Sequence, residues 1–95
     1  MARPSATPTV LIENDRTIVT EWAFEVGAET GWHRHAHDYV VVPVLDGELL
    51  IEEGEGRERV APLKTGVPYF RETGVEHNVI NNNDYPFRFI EVEFK

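Results

Sequence analysis

Residues 31–45 read Gly-Trp-His-Arg-His-Ala-His-Asp-Tyr-Val-Val-Val-Pro-Val-Leu. Three histidines in this stretch, His33, His35 and His37, stand at every second position, so they share one face if the segment is extended. Residues two apart on a helix do not face each other, so a helical interpretation is poor. Residues 39–45 are apolar on both faces, as in a strand buried on two sides. The stretch therefore predicts β structure that carries a cluster of imidazoles.

The rest of the chain has the same character. Residues 17–26 alternate with period two, and Asp46-Gly47 predicts a hairpin turn, as does Gly54-Glu55-Gly56. No segment of ten or more residues shows helical periodicity. Strands are predicted at residues 9–13, 17–26, 39–45, 48–53, 57–61, 67–70, 76–80 and 87–94. Eight or nine short strands separated by turns predict an all-β sandwich or barrel.

The length of 95 residues predicts one small domain. Residues 1–8, with two prolines and small side chains, are expected to form a flexible arm, and residues 9–95 the domain. The chain has no cysteine, which excludes disulfides and thiolate ligands. Any bound metal must therefore be held by nitrogen and oxygen atoms.

Nine basic residues stand against seventeen acidic ones, for a formal charge of −8. So acidic a surface repels phosphate groups, which argues against nucleic acids and anionic membranes as partners. The first eight residues lack the apolar core of a signal peptide, and residues 39–45, the longest apolar run, are too short to span a bilayer. A cytoplasmic protein is expected.

The fourth histidine, His77, stands alone far along the chain, and two blocks of regular spacing surround the histidines. The first block is Gly27, His33, His35, Val40 and Gly47, and the second is Gly66, Glu72, Gly74, His77 and Asn81. These blocks resemble the paired motifs of the cupin superfamily, G-x5-H-x-H-x3-4-E-x6-G and G-x5-P-x-G-x2-H-x3-N. Two positions depart from the motifs, since Val40 replaces the glutamate and Glu72 the proline.

The resemblance implies a small, single-domain, RmlC-like cupin, which is a double-stranded β-helix or jelly-roll barrel. It also implies that His33, His35 and His77 bind one divalent metal ion, without the usual carboxylate. Three neutral imidazoles can hold Fe(II), Mn(II), Ni(II), Zn(II) or Co(II) and leave positions open for water or substrate. Cupins of the thiol dioxygenase type are similar in using three histidines without the glutamate.

Loss of the carboxylate leaves the site more positive by one charge, which favours an anionic ligand and weakens metal retention. If the strand stays regular beyond His35, His37 points the same way and is the first choice for a fourth ligand, with Asp38 or Tyr39 as alternatives if the chain bulges. A place at the rim of the site is the alternative for His37.

Other side chains near the two blocks are candidates for substrate chemistry. Tyr39 and Glu72 are candidate acids or bases, provided that they reach the cavity. Arg71 and Arg88 are candidates for holding a substrate carboxylate, with ordinary surface charge as the alternative.

Two classes of function remain open. The first is a metal-dependent enzyme acting on a small organic molecule, as a dioxygenase, isomerase or lyase. The second is a non-catalytic ligand-binding or accessory cupin whose metal is structural or absent. Residues 31–43 resemble small bacterial cupins linked by name to beta-alanine degradation, but reaction type does not follow from fold. Cupins of this size are usually homodimers, and the doubly apolar segment 39–45 agrees with burial beyond one barrel.

Overall fold

The computed structural model describes residues 3–95, and every regular element in that range is a β-strand. In chain order the strands are β1 (Thr7–Glu13), β2 (Thr17–Phe24), β3 (His33–Arg34), β4 (Asp38–Pro43), β5 (Gly47–Gly54), β6 (Arg57–Leu63), β7 (Tyr69–Arg71), β8 (Glu76–Asn81) and β9 (Phe87–Phe94). The all-β prediction is confirmed.

The strands form two antiparallel sheets. One has five strands in the order β1-β2-β9-β4-β7, and the other has four in the order β3-β8-β5-β6. Strands that are distant in the chain lie side by side in both sheets, as β2 does with β9. This arrangement is the double-stranded β-helix, or jelly roll, that the resemblance to cupins implies.

The hydrophobic core lies between the two sheets. Period-two alternation directs one side chain of each pair inward, so that β4 buries Tyr39 and Val41 while Val40 and Val42 on its other face are only half-buried. The largest fully buried side chains are Tyr39, Phe24, Phe87, Leu49, Val41 and Pro43. The expectation that β4 is buried on both faces thus holds fully for its inner face only.

The predicted hairpin at Asp46-Gly47 is wrong, because β4 and β5 belong to different sheets. The chain crosses from one sheet to the other here, and Asp46 accepts a 2.8 Å hydrogen bond from the Thr65 backbone N–H. Gly47 is not among the residues with positive φ. Instead, a Cβ atom at this position would lie 2.7 Å from the Phe87 ring, so close approach and not turn geometry requires glycine.

Other predicted boundaries agree closely with the structure. Strand β9 covers the predicted residues, and β8 extends the prediction by one residue, to Asn81. The turn at residues 54–56 joins β5 to β6 and has positive φ at all three residues, including Glu55 at 55°. Strand β2 ends at Phe24, two residues earlier than predicted, and Val26 is exposed.

The predicted N-terminal arm lies partly outside the described residues, which exclude residues 1 and 2. Further along, the Ala6 N–H donates a 2.7 Å hydrogen bond to the Glu29 carbonyl, and the Glu29 N–H donates to the Pro4 carbonyl. Strand β1 begins at Thr7 and pairs with β2. Among residues 3–95 no helix is both long and apolar enough to cross a membrane.

Candidate metal centre

Three histidines from two separate stretches of chain meet at one end of the barrel. Strand β3 pairs with β8 over two residue pairs, and this register sets His33 opposite His77. His35 follows directly after β3, where its N–H donates to the Val75 carbonyl and its carbonyl accepts from the Gly74 N–H, both at 2.8 Å.

The loop before β3 is tied to β8 through Asn78, which is 6% exposed. The Asn78 side-chain oxygen accepts a 2.9 Å hydrogen bond from the Gly31 N–H. Its amide nitrogen donates to the carboxylates of Glu29 at 2.8 Å and Glu52 at 2.9 Å. These bonds fix the loop that presents the first two histidines to the third.

The imidazole nitrogens converge closely. His35 Nε2 lies 2.9 Å from His33 Nε2 and 3.0 Å from His77 Nε2. The three side chains form the group of possible metal ligands in the part of the chain that the structure describes. Nitrogens this close can share one cation, because two nitrogen–metal bonds of about 2.1 Å hold their nitrogens roughly 3.0–3.4 Å apart.

The protonation states also suit a cation. His33 Nδ1 lies 2.8 Å from the Gly31 carbonyl, which can only accept, so Nδ1 donates and Nε2 is the ring nitrogen that faces His35. Burial, with the His33 charge adding to it, lowers the pKa of His35 to about 4 and that of His77 to about 3. Both rings are therefore neutral at pH 7.

His77 Nδ1 is buried and has no hydrogen-bond partner among the described residues. Without a cation, its ring has only the His35 nitrogen as a polar neighbour within hydrogen-bonding distance. Nδ1 lies on the other side of the ring from Nε2, the nitrogen that faces His35, so a cation at the histidine group would bind Nε2 and leave Nδ1 without a partner. The donor set and its surroundings fit a divalent transition metal.

The histidines line a cavity of about 310 Å³ between the two sheets. Its wall includes Trp22, Thr30, Tyr39, Val41, Tyr69, Val79 and Phe89, and its polar groups besides the histidines include Glu91 and Glu93. The size and the mostly apolar wall are typical of a small-molecule site.

Tyr39 reaches this cavity. Its ring stacks on His35 with a centroid separation of 3.8 Å and an interplanar angle of 16°. Burial raises the pKa of its hydroxyl, so the phenol stays protonated at neutral pH. Val40, the residue at the family's glutamate position, lies on the opposite face of β4, paired with Val92 and Phe70.

The structure does not bring His37 and Glu72 into the histidine group. His37 lines the cavity, but its Nδ1 lies 3.2 Å from a Glu93 carboxylate oxygen, and the chain bends at residues 36 and 37 between β3 and β4. This bend breaks the regular alternation that would have aligned His37 with His35. Glu72 is exposed in the turn after β7 and is not among the cavity residues.

The candidate arginines lie outside the cavity wall. Arg88 is within 3.7 Å of Glu21, and Arg71 is near enough for its charge to lower the pKa of His35 and of His77. The side-chain amide of Asn81, at the end of β8, donates to the carbonyl groups of residues 24, 25 and 85, and Asn81 is not among the cavity residues.

Sequence reasoning missed the two glutamates of the cavity. Glu91 and Glu93 alternate with apolar residues on β9, on the inward face that also carries Phe87 and Phe89. Alternation alone gave no signal for them, because both faces of residues 87–94 carry apolar as well as charged side chains and the sequence does not show which face is inward.

Fold and site together define a cupin. The cupin domain family model matches residues 20–93, and the chain belongs to this family. The chain is 59% identical over 93 residues to the beta-alanine degradation protein BauB of Pseudomonas aeruginosa, with 98% of this chain and 97% of that protein covered.

Solved structures agree with this assignment. A cupin domain from Bordetella pertussis Tohama I matches with a TM-score of 0.95 and 55% identity, covering 100% of this chain and 98% of that one. A protein with a double-stranded β-helix domain from Klebsiella pneumoniae matches with a TM-score of 0.75 and 26% identity, over 97% and 78% of the two chains. The polyketide cyclase RemF of Streptomyces resistomycificus shares the fold at 22% identity, with a TM-score of 0.73 over 99% of this chain and 70% of that one.

Proposed function

We propose that this cupin is a metal-dependent enzyme that converts a small organic molecule at the three-histidine site. The observation that carries the proposal is the convergence of three imidazole nitrogens, 2.9 and 3.0 Å apart around His35, at the wall of a cavity. His33, His35 and His77 would hold a divalent ion. When bound, such an ion polarises a substrate oxygen or activates dioxygen.

Three neutral imidazoles suit Fe(II), Mn(II), Ni(II), Zn(II) or Co(II). With three protein ligands, such an ion would have coordination positions left for an anionic oxygen of the ligand. The absence of a carboxylate from the histidine group strengthens the attraction for such an oxygen.

The chain's own residues supply the remaining chemistry. Tyr39, protonated and stacked on His35, holds that ring in place and is a candidate acid for a ligand in the cavity. The mostly apolar wall gives a bound ligand contacts away from the histidines. Because Glu72 is exposed outside the cavity, we propose no role for it in the reaction.

The name of the 59% identical relative, a beta-alanine degradation protein, supports a ligand from the chemistry of small amino acids. A non-catalytic cupin with a structural metal is the second candidate function, favoured by the missing carboxylate. Turnover separates the two, because a structural site binds metal but consumes neither oxygen nor substrate. A cytoplasmic location stays a prediction, to be tested by cell fractionation.

We also propose that the protein is a homodimer. One apolar side chain from each strand of the five-stranded sheet lines up across its outer face, through consecutive register pairs, namely Ile12, Val19, Val92, Val40 and Phe70. Ile12 and Phe70, at the two ends of this outer apolar row, are 54% and 55% exposed. A contiguous apolar row of this kind favours a second copy as its cover.

The metal site is tested by elemental analysis of the purified protein. We expect about one divalent ion per chain in the wild type. In the His35→Ala variant the metal content should fall at least about tenfold, since removing a ligand lowers the affinity for the metal by that much or more. His37→Ala is the matched control, because His37 lies beside the site without joining the histidine group. Unchanged metal content in His35→Ala, with the β circular dichroism retained, would remove the histidines from the site.

A further inference from the structure

The cavity has a second polar region besides the histidines. Glu91 and Glu93 both project inward from β9, where Glu91 pairs in register with Thr20 and Val41, and Glu93 with Ile18 and Tyr39. Both carboxylates line the same cavity as the histidines. Glu91 is only 7% exposed, whereas glutamates in folded proteins are almost always exposed unless they are paired.

The two carboxylates differ in their partners. Glu93 has a hydrogen-bond partner, since its carboxylate lies 3.2 Å from His37 Nδ1. Glu91 forms no ion pair within residues 3–95. Burial and the neighbouring Glu93 carboxylate raise the pKa of Glu91 to about 7, and the nearby Trp22 side chain offsets part of this shift. A carboxylate accepts about four hydrogen bonds, so Glu91 has capacity for the donors of a ligand.

Aromatic side chains surround this region of the cavity. Trp22 lies on β2 opposite Phe89 of β9, and Tyr69 lies on β7 opposite Val41 of β4. All of these residues line the cavity. Aromatic faces attract cations, most strongly when the cation is desolvated. A buried carboxylate beside aromatic rings is therefore suited to an ammonium group and unsuited to an anion.

We propose that Glu91, with Glu93 and the Trp22 ring beside it, binds the ammonium group of a small ligand whose oxyanion end is held at the three-histidine site. The substrate class is then a small zwitterion such as a short amino acid. This inference rests on the proposed function for the oxyanion end only. The ammonium end depends on the carboxylates and rings alone.

A ligand that carries both an oxyanion and an ammonium group suits both the histidine site and the two glutamates. The histidine site, without a carboxylate, favours an anionic oxygen, whereas an anion without an ammonium group would meet the Glu91 and Glu93 carboxylates unpaired. Binding of an ammonium group favours the charged form of Glu91 and provides the counter-ion that the fold lacks.

Isothermal titration calorimetry on the protein loaded with its own metal tests the proposal with three compounds. These are β-alanine, propionate (which lacks the amine) and propylammonium (which has a methyl group in place of the carboxylate). We expect β-alanine to bind at least about tenfold more tightly than propionate, since a buried charge-assisted contact contributes that much or more. In the Glu91→Gln variant this preference should vanish. Equal or tighter binding of propionate to the wild type would overturn the proposal.

The matched control is Glu21→Gln, which removes the same charge from the outer face of β2, where Glu21 lies 3.7 Å from Arg88. It should keep the preference for β-alanine. If Glu91→Gln keeps the preference as well, the ammonium site is not at Glu91 and the proposal fails.

Propylammonium separates this inference from the metal proposal. Binding of propylammonium to metal-free protein, lost in Glu91→Gln, supports the ammonium site even if no metal is found and propionate does not bind. Conversely, binding of propionate to the metal-loaded protein with no advantage for β-alanine keeps the proposed function and overturns this inference.

Discussion

Glu91 carries a charge at a place where the fold has no counter-ion for it. Burial, together with Glu93, raises the pKa of Glu91 from 4.5 to about 7. The folded state therefore binds a proton more tightly than the unfolded chain does. The contribution of this proton to the free energy of unfolding is fully present below pH 4.5 and is lost as the pH rises through about 7.

We therefore expect Glu91→Gln to be more stable than the wild type at pH 8.5 by about 1–3 kcal/mol and nearly equal to it at pH 5. Glutamine mimics the protonated carboxyl and does not ionise. Urea unfolding of both proteins at the two pH values measures the difference, with Glu21→Gln as the charge-matched control. A gain of the same size at both pH values would show that the ionisation of Glu91 is not the cause.

At the scale of single side chains, the sequence predicted the histidine group but not the glutamates. The spacing of His33, His35 and His77 matches a known pair of motifs, whereas nothing in the order of residues shows which side of β9 faces the cavity. Glu72 lies within the second motif, yet the turn leaves its side chain in solvent. Proximity in sequence to a site residue does not determine the direction of a side chain.

The strands themselves were predictable because burial on one face imposes period two, as in β8 and β9. The connection from β4 to β5 was not predictable, since an Asp-Gly pair can form either a hairpin turn or a crossing between sheets. What decides between them is pairing with strands far along the chain, such as β9 with β4. The local sequence does not show which of the two connections forms.

The crossing at Gly47 leads to a prediction about these elements. A Cβ atom there would lie 2.7 Å from the Phe87 ring, which is 0% exposed and cannot move into solvent. We expect Gly47→Ala to destabilise the fold by about 1–3 kcal/mol through overpacking, as measured by thermal unfolding. The double variant Gly47→Ala, Phe87→Leu should lose less stability than the two single effects added together. Strict additivity would contradict the contact as the cause.

At the scale of the whole molecule, the outer apolar row crosses all five strands of one sheet, so we expect the 10.9 kDa chain to have twice that mass in solution. Phe70→Lys places a charge at the exposed end of the row and should weaken the dimer by at least about tenfold, since an unpaired charge would be buried. Light scattering after size-exclusion chromatography at micromolar concentration measures the mass of the wild type and of the variant.

Val67→Lys is the control for that experiment, because Val67 is 60% exposed in the loop before β7 and is not part of the row. It should stay dimeric. A monomeric wild type at the same concentration would contradict the proposed assembly.

Strand β3 is only two residues long, and it supplies His33 directly and His35 just beyond its end. So short a strand contributes little cohesion of its own to the sheet edge it occupies. An ion shared with His77 would act as a cross-link between segments 42 residues apart. Ordering of this sheet edge and binding of the ion would then be linked equilibria. A change that raises the affinity for the ion would also stabilise the edge of the sheet.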